Sequence, residues 1–555
     1  MPRFSIPNPT KKLWSGIWPG EDFGNIFYAR SIDLERNKGK VSLADSYSGL
    51  VNSSQVGFGS LVTPIGFTRS SADGTDRWWA NAGVLFKTSG TNPTLGWAAD
   101  AIVSTPGAPL YDIIDFGGNL IVPTSTNLDR LVGGTWTNNW WSSLSGASAL
   151  QALPHRFFIL AGALCVTDGR FINDYDGTLT RDPALTLPAG FQANWGVTSG
   201  ELAFIGGLQT GGGEAYVYTW DRIAVNYISR YPIGDSEALC GFVADSVYIV
   251  TKKGLIKRFN GSGFEYFAEF PTVEAQGQLN QIHPNGVSVS ENIVKLMVDF
   301  GTINNTRYVS GIWNLDITTK NLYHAGSVRN TSDRDYSQAE LAEAGALKQT
   351  IVGQGLFLIG ARVYTTYSSA SRYGIFNSDE SSTSNQGFLI TVKLRATNIQ
   401  RFWRLLFVTM RRMTNSADRL RVAVSFQNSA NFPAYETITW LNANSFSASN
   451  ADISAGDFVE VIAGENAGAI ARILTYTGGT VTIDRSLFSS TAISRVRYHR
   501  FVDLGNVSST TIQTALFHPT MRSDFMQVLI ELRGSRNSPV LESLMVDYKD
   551  LAQII

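Results

Sequence analysis

Three observations predict an all-β fold, a seven-bladed β-propeller followed by a β-sandwich that carries a small inserted β-barrel. Composition favours short strands and tight turns: 43% of residues are hydrophobic, 12% aromatic and only 16% charged, with 52 glycines. A short apolar element recurs at blade-like spacing through the first two-thirds of the chain. After residue 386 the pattern changes to longer alternating strands. At 555 residues the chain exceeds one compact core, so several domains are expected.

The charged fraction lies below the roughly 25% usual for soluble domains, so much of the surface must be Ser, Thr, Asn and Gly. The formal charge of −1 excludes a net field toward nucleic acid or an anionic membrane. The first residues, MPRFSIPNPTKKLW, lack a signal-peptide core. The longest apolar run, Phe157 to Val166, is too short for roughly 30 Å of hydrocarbon. A soluble protein made in a cytoplasm, without membrane insertion, is expected. Cys165 and Cys240 both sit in apolar runs and read as buried thiols.

The recurring element places a small or polar pair before three or four apolar residues. Anchored on Val84, Leu120, Leu164, Leu202, Val247, Val294 and Leu356, it steps by 36, 44, 38, 45, 47 and 62 residues. Seven anchors predict seven blades, while the long last step leaves six or eight open. The first apolar strand of each unit is expected to face the axis. A second signal, an aromatic or apolar residue before Asn, Asp or Gly, follows most anchors: Leu131-Val132-Gly133-Gly134, Tyr175-Asp176-Gly177, Trp220-Asp221, Phe259-Asn260-Gly261, Trp313-Asn314 and Phe376-Asn377, with Trp97 weaker. It marks the hairpin turn to a partner strand. One four-stranded sheet cannot bury both faces, whereas a ring of sheets can. A β-sandwich series with coincidental turns is the alternative.

The expected domains are an N-terminal arm over 1–45, a propeller over 46–380, a sandwich over 386–450 plus 498–555, and an SH3-like barrel inserted at 451–497. Gly24 to Ala29 or Gly39 to Leu43 is expected to supply the strand that closes the ring. The inserted segment is short, turn-rich and flanked by polar linkers, as tolerated insertions are.

Arg401-Phe402-Trp403-Arg404-Leu405, Asn537 to Leu544 and the segment GDFVEVIAGENAG, within this propeller-then-sandwich order, resemble structural proteins of tailed-bacteriophage tails and necks, particularly the nozzle of short tails. The resemblance implies a virion protein that forms an oligomeric ring, most often hexameric, around the channel through which DNA leaves. It also implies adjacent tail or neck proteins as partners and transient contact with genomic DNA. A host-glycan-binding adhesion protein, a glycan-cleaving tail enzyme and a capsid decoration protein are the alternatives.

Chemistry-bearing patterns are sparse. The five histidines are not spaced as ligands, and no GxSxG, HExxH or P-loop is present, so no enzyme, metal site or cofactor is predicted. Asp112, Asp115, Glu201, Asp245 and Glu291 could stand as paired acids on propeller loops. Their recurrence in the repeat favours turn and capping roles. Acid clusters at Asp73 to Asp76, Asn173 to Asp176 and Asp379-Glu380 read as solvated turns rather than calcium loops.

Charge is most uneven over Lys393, Arg395, Arg401, Arg404, Arg411, Arg412, Arg419 and Arg421, against Asp418 alone. Arginine suits bidentate pairing with carboxylates and contact with phosphate, so these residues are candidates for a subunit interface or the DNA channel. A solvated sheet face is the alternative. Because strong phosphate binding would hinder sliding DNA, subunit contact is favoured.

Overall fold

A computed structural model describes 112–270 continuously, 279, 282, 286–298, 311–326, 401–426 apart from 416, 436–449, 453–463, 469–487, 493–508 and 514–550 apart from 524 and 535–537, together with short segments before 112 and between 352 and 395. Seven four-stranded antiparallel sheets run through 65–104, 114–137, 157–186, 191–232, 238–269, 287–326 and 352–383. The seventh takes its fourth strand from Asp45–Asn52, which pairs with Tyr373–Thr383. First strands of successive sheets lie side by side from the third sheet to the seventh, and the seventh meets the first. The fold is therefore a seven-bladed propeller whose last blade is completed by an earlier part of the chain.

Two expectations need correcting here. Neither proposed closing segment closes the ring: Ile26–Arg30 pairs with Gln386–Thr391 of the sandwich, and Ser42–Leu43 pairs with Ile32–Asp33. The anchors also do not mark the axial strand. Leu120, Leu164, Leu202, Val247 and Val294 lie in the second strands of their blades, Val84 in a third strand and Leu356 in a first. The second strand has a partner on each side and a neighbouring blade over each face, so it becomes the most apolar. Ala163–Asp168 and Val247–Thr251 are buried throughout, whereas the first strand Val287–Ser290 is only partly covered.

The aromatic-Asx signal has a direct physical basis in three successive blades. Tyr175, Trp220 and Phe259 each end a third strand, and the next residue makes the turn. Asp176 Oδ1 accepts from the amides of Thr178 and Leu179, Asp221 Oδ1 from Ile223 and Ala224, and Asn260 Oδ1 from Ser262 and Gly263. In the sixth blade the same turn uses Asp316, two residues beyond Asn314.

The sandwich stacks a five-stranded sheet built on Arg401–Met410 and Leu541–Asp550 against a six-stranded sheet built on Gln386–Thr391, Phe525–Arg533, Arg419–Ser425 and Val502–Val507. The N-terminal arm contributes a strand to each: Arg3–Ser5 pairs with Leu541–Asp550, and Ile26–Arg30 extends the larger sheet. Ile32, Val41 and Leu43 join Tyr248, Phe267, Trp313 and Leu322 of the propeller to Leu389, Leu529 and Ile530 of the sandwich in one apolar core. Val41 and Leu541 exchange two backbone hydrogen bonds of 2.9 Å across this seam.

A closed six-stranded barrel is inserted into the sandwich. It begins earlier than 451, because Glu436–Asn442 and Ser445–Ser447 are two of its strands, and it ends with Ile493–His499. Closure needs those strands: Glu436–Asn442 pairs with Ile493–His499, and Ser445–Ser447 with Thr480–Ile483. The barrel has its own core around Trp440, Phe446, Val461, Ile473 and Val481.

Cys165 and Cys240 are buried free thiols, and burial pushes both well above the ordinary thiol range. The folded protein should therefore resist a thiol-specific reagent, and both cysteines should react once it is unfolded. Fast modification under native conditions would show instead that the third and fifth blades open readily.

Candidate functional site

The strand Arg419–Ser425 alternates by design of its sequence, RLRVAVS. Leu420, Val422 and Val424 enter the sandwich core, which turns Arg419 and Arg421 onto the outer face of the sheet. Register then sets their neighbours. Arg419 lies directly opposite Arg533, and Arg421 lies opposite Glu531 on one side and Asn506 on the other.

The barrel packs against this outer face. Phe458 and Ile470, both fully buried, extend the sandwich core into it, and Arg421 stands 6.0 Å from the centre of the Phe458 ring. Around that apolar contact lies a charge network. Arg421 Nη1 pairs with Asp484 Oδ2 at 2.5 Å. It also lies 3.9 Å from Glu531 Oε2, and Arg421 Nε lies 4.0 Å from Asp503. Arg472 pairs with Asp503 at 3.3 Å and Arg485 with Glu531 at 3.4 Å.

Glu531, 1% exposed, is the hub. Arg533 Nε donates to its Oε1 at 2.6 Å and Arg533 Nη2 to its Oε2 at 3.2 Å. Burial pulls Arg485 down to about 10, with Glu531 opposing, so Arg485 stays protonated near neutral pH. Deeper in the same junction, Glu460 and His499 lie 2.9 Å apart.

Arg419, Arg421, Asn506, Glu531 and Arg533 line an open depression of about 220 Å³, including the part open to solvent. It lies on the sheet's outer face beside the ion pairs that hold the barrel.

The sequence-selected basic residues do not share one place. Arg401 and Arg404 belong to Arg401–Met410 of the five-stranded sheet, and Arg404 is half-buried there. Arg411 and Arg412 follow that strand and are exposed. Arg419 and Arg421 stand on the other sheet, with Arg421 taken up within the chain. Arg395 lies in the short strand Leu394–Arg395, and Lys393 lies outside the described residues.

Arg472, Asp484, Arg485, Asp503, Glu531 and Arg533 were not legible as a cluster, since three strands and the barrel insertion bring them together. The one local signal is Glu531 itself, an acid within FMQVLIELR, a strand otherwise buried almost throughout.

The acids of the propeller are occupied structurally. Asp112 accepts from the amides of Ile113 and Phe157, tying the second blade to the third. Asp245 accepts from Tyr248 and pairs with Arg258. Glu291 sits at a turn with positive φ, Glu201 is exposed in a turn and Asp115 is exposed. Asp174 is fully buried between Arg181 and Arg222, the latter reaching across from the fourth blade. Among the described residues no group of three or more His, Cys, Asp or Glu is arranged to hold a metal ion. Asp73 and the side chains of Asp76, Asp379 and Glu380 lie outside the described residues.

No family model and no curated protein matches the chain. Among solved structures it is similar to the computationally designed Ika8 protein, at 12% identity and a TM-score of 0.36, over 66% of this chain and 99% of that one. It is also similar to the Pan2 WD40 domain of Neurospora crassa, at 10% identity and a TM-score of 0.39, over 61% and 97%. Raptor of Chaetomium thermophilum aligns at 12% identity and a TM-score of 0.38, over 57% of this chain and 28% of Raptor. No helix among the described residues is long and apolar enough to cross a membrane.

Proposed function

We propose that this protein is a structural virion component of a tailed phage, a nozzle-like tail or neck subunit that assembles as a ring, hexameric by the resemblance, around the DNA exit channel. The observation that carries the assembly reading is an exposed apolar loop on the propeller. Ile223 is 87% exposed and Val225 85%, with Ile228 half exposed, all in the turn between the last two strands of the fourth blade. Leu179, also exposed, sits in the corresponding turn of the third blade, and Arg222 bonded to Asp176 links the two turns. Large apolar side chains gathered at one place mark a contact surface.

A propeller and sandwich that share one core suit a rigid building part, and the inserted barrel adds a separate surface for a neighbouring protein. Electron microscopy of the purified protein and of its native particle tests the reading. A closed ring with an axial opening at a tail or neck position is expected. Arg412→Glu, which reverses an exposed charge beside the sandwich, should leave the fold intact and block ring assembly. Rings that form normally in this variant, with only DNA retention changed, would remove Arg412 from the interface. A monomer confined to fibre tips or to the capsid surface would replace the proposal with adhesion or decoration.

A further inference from the structure

We propose that the depression lined by Arg419, Arg421, Arg533, Asn506 and Glu531 binds a phosphate oxyanion through its arginines and Asn506. The site stands on its own residues and is independent of the virion reading. Two arginines directly opposite each other on paired antiparallel strands repel, and such a pair is unfavourable unless a negative charge lies between them. Glu531 relieves this only in part. Its carboxylate is engaged by Arg533 and is also approached by Arg485 and Arg421, whereas the Arg419 side chain has neither an ion pair nor a hydrogen bond among the described residues.

The wider junction carries the same imbalance. Among the described residues, the ion pairs of this junction set Arg421, Arg472, Arg485 and Arg533 against Asp484, Asp503 and Glu531, while Arg419 beside them has no acid within ion-pair distance. Like charges gathered on one face repel, and a bound oxyanion offsets that repulsion. The donors suit it: planar guanidinium groups match phosphate oxygens in pairs, and the Asn506 amide, on the adjacent strand, adds a neutral donor.

The source of the phosphate is either the free ion or a nucleic-acid backbone, and the test separates them. The full-length protein is titrated by calorimetry with inorganic phosphate at constant ionic strength, then with a dinucleotide whose single charge is its phosphodiester. Saturable binding of phosphate at one site per chain is expected. Arg419→Gln, at an exposed position, should weaken it by about tenfold, the effect of losing one charge-assisted hydrogen bond. Arg170→Gln, exposed on the third blade and outside the depression, should leave it unchanged.

Binding of phosphate alone assigns the site to the free dianion, and binding of the dinucleotide as well extends it to a nucleic-acid backbone. The proposal is overturned if phosphate gives no saturable heat, or if Arg419→Gln binds it as tightly as the parent protein.

Discussion

Trp195→Ala should cost about 3–5 kcal/mol of stability. Trp195 lies in the first strand of the fourth blade, 2% exposed, and its indole nitrogen donates to the Ala238 carbonyl at 2.8 Å across to the fifth blade. Two glycines make room for the ring. A Cβ on Gly206, its cross-strand partner, would come within 2.1 Å of the indole, and one on Gly241 of the next blade within 2.3 Å. Glycine within a strand often marks such a close approach.

Truncation therefore empties a site that two backbones were brought together to fill, and it leaves a carbonyl without its donor. The neighbouring sheets cannot collapse onto the space, because each is fixed by its own ladder. Gly241→Val should destabilise as well, since the ring is held from both sides. Denaturant titrations followed by circular dichroism measure both variants. A change of under about 1 kcal/mol for Trp195→Ala would show that the seam between these blades can close.

The repeat was legible because blade physics writes itself locally. A second strand buried on both faces must be apolar, and the turn after the third strand in the third, fourth and fifth blades carries an Asx side chain that accepts two amides. Tyr175-Asp176, Trp220-Asp221 and Phe259-Asn260 are read from spacing for that reason. The closing strand Asp45–Asn52 carries no such mark. Its identity depends on which edge is left unpaired after Tyr373–Thr383, a property of the finished ring.

The same holds for the arm, whose strands Arg3–Ser5 and Ile26–Arg30 find partners several hundred residues away. The arginine-rich run was visible as composition, but its partition was not. Strand alternation places Arg419 and Arg421 together on one face, and only the folded register reveals that Arg533 stands opposite the first and Glu531 opposite the second.

Glu531→Ala should cost about 3–5 kcal/mol and loosen the barrel from the sandwich. Removal of this carboxylate takes from Arg485 its ion-pair partner and leaves Asp484 as the weaker acidic influence, in a place where burial already disfavours the charge. Arg485 remains protonated near neutral pH, so the penalty is present there in full. In the parent protein its pKa, pulled down to about 10 by burial, lies below the unfolded value, and loss of Glu531 lowers it further, so the folded state binds fewer protons at high pH and stability is regained as pH rises. The apolar contact of Phe458 and Ile470 and the ion pairs Arg421–Asp484 and Arg472–Asp503 would then have to hold the junction. Limited proteolysis should cut between barrel and sandwich sooner in this variant, while the barrel's separate core around Trp440 stays folded. The double replacement Glu531→Leu with Arg485→Met removes both charges and should recover most of the loss, as apolar replacements of buried ion pairs do. If Glu531→Ala alone changes neither stability nor cleavage, the apolar contact and the remaining ion pairs suffice and Glu531 serves only to set how the barrel is oriented.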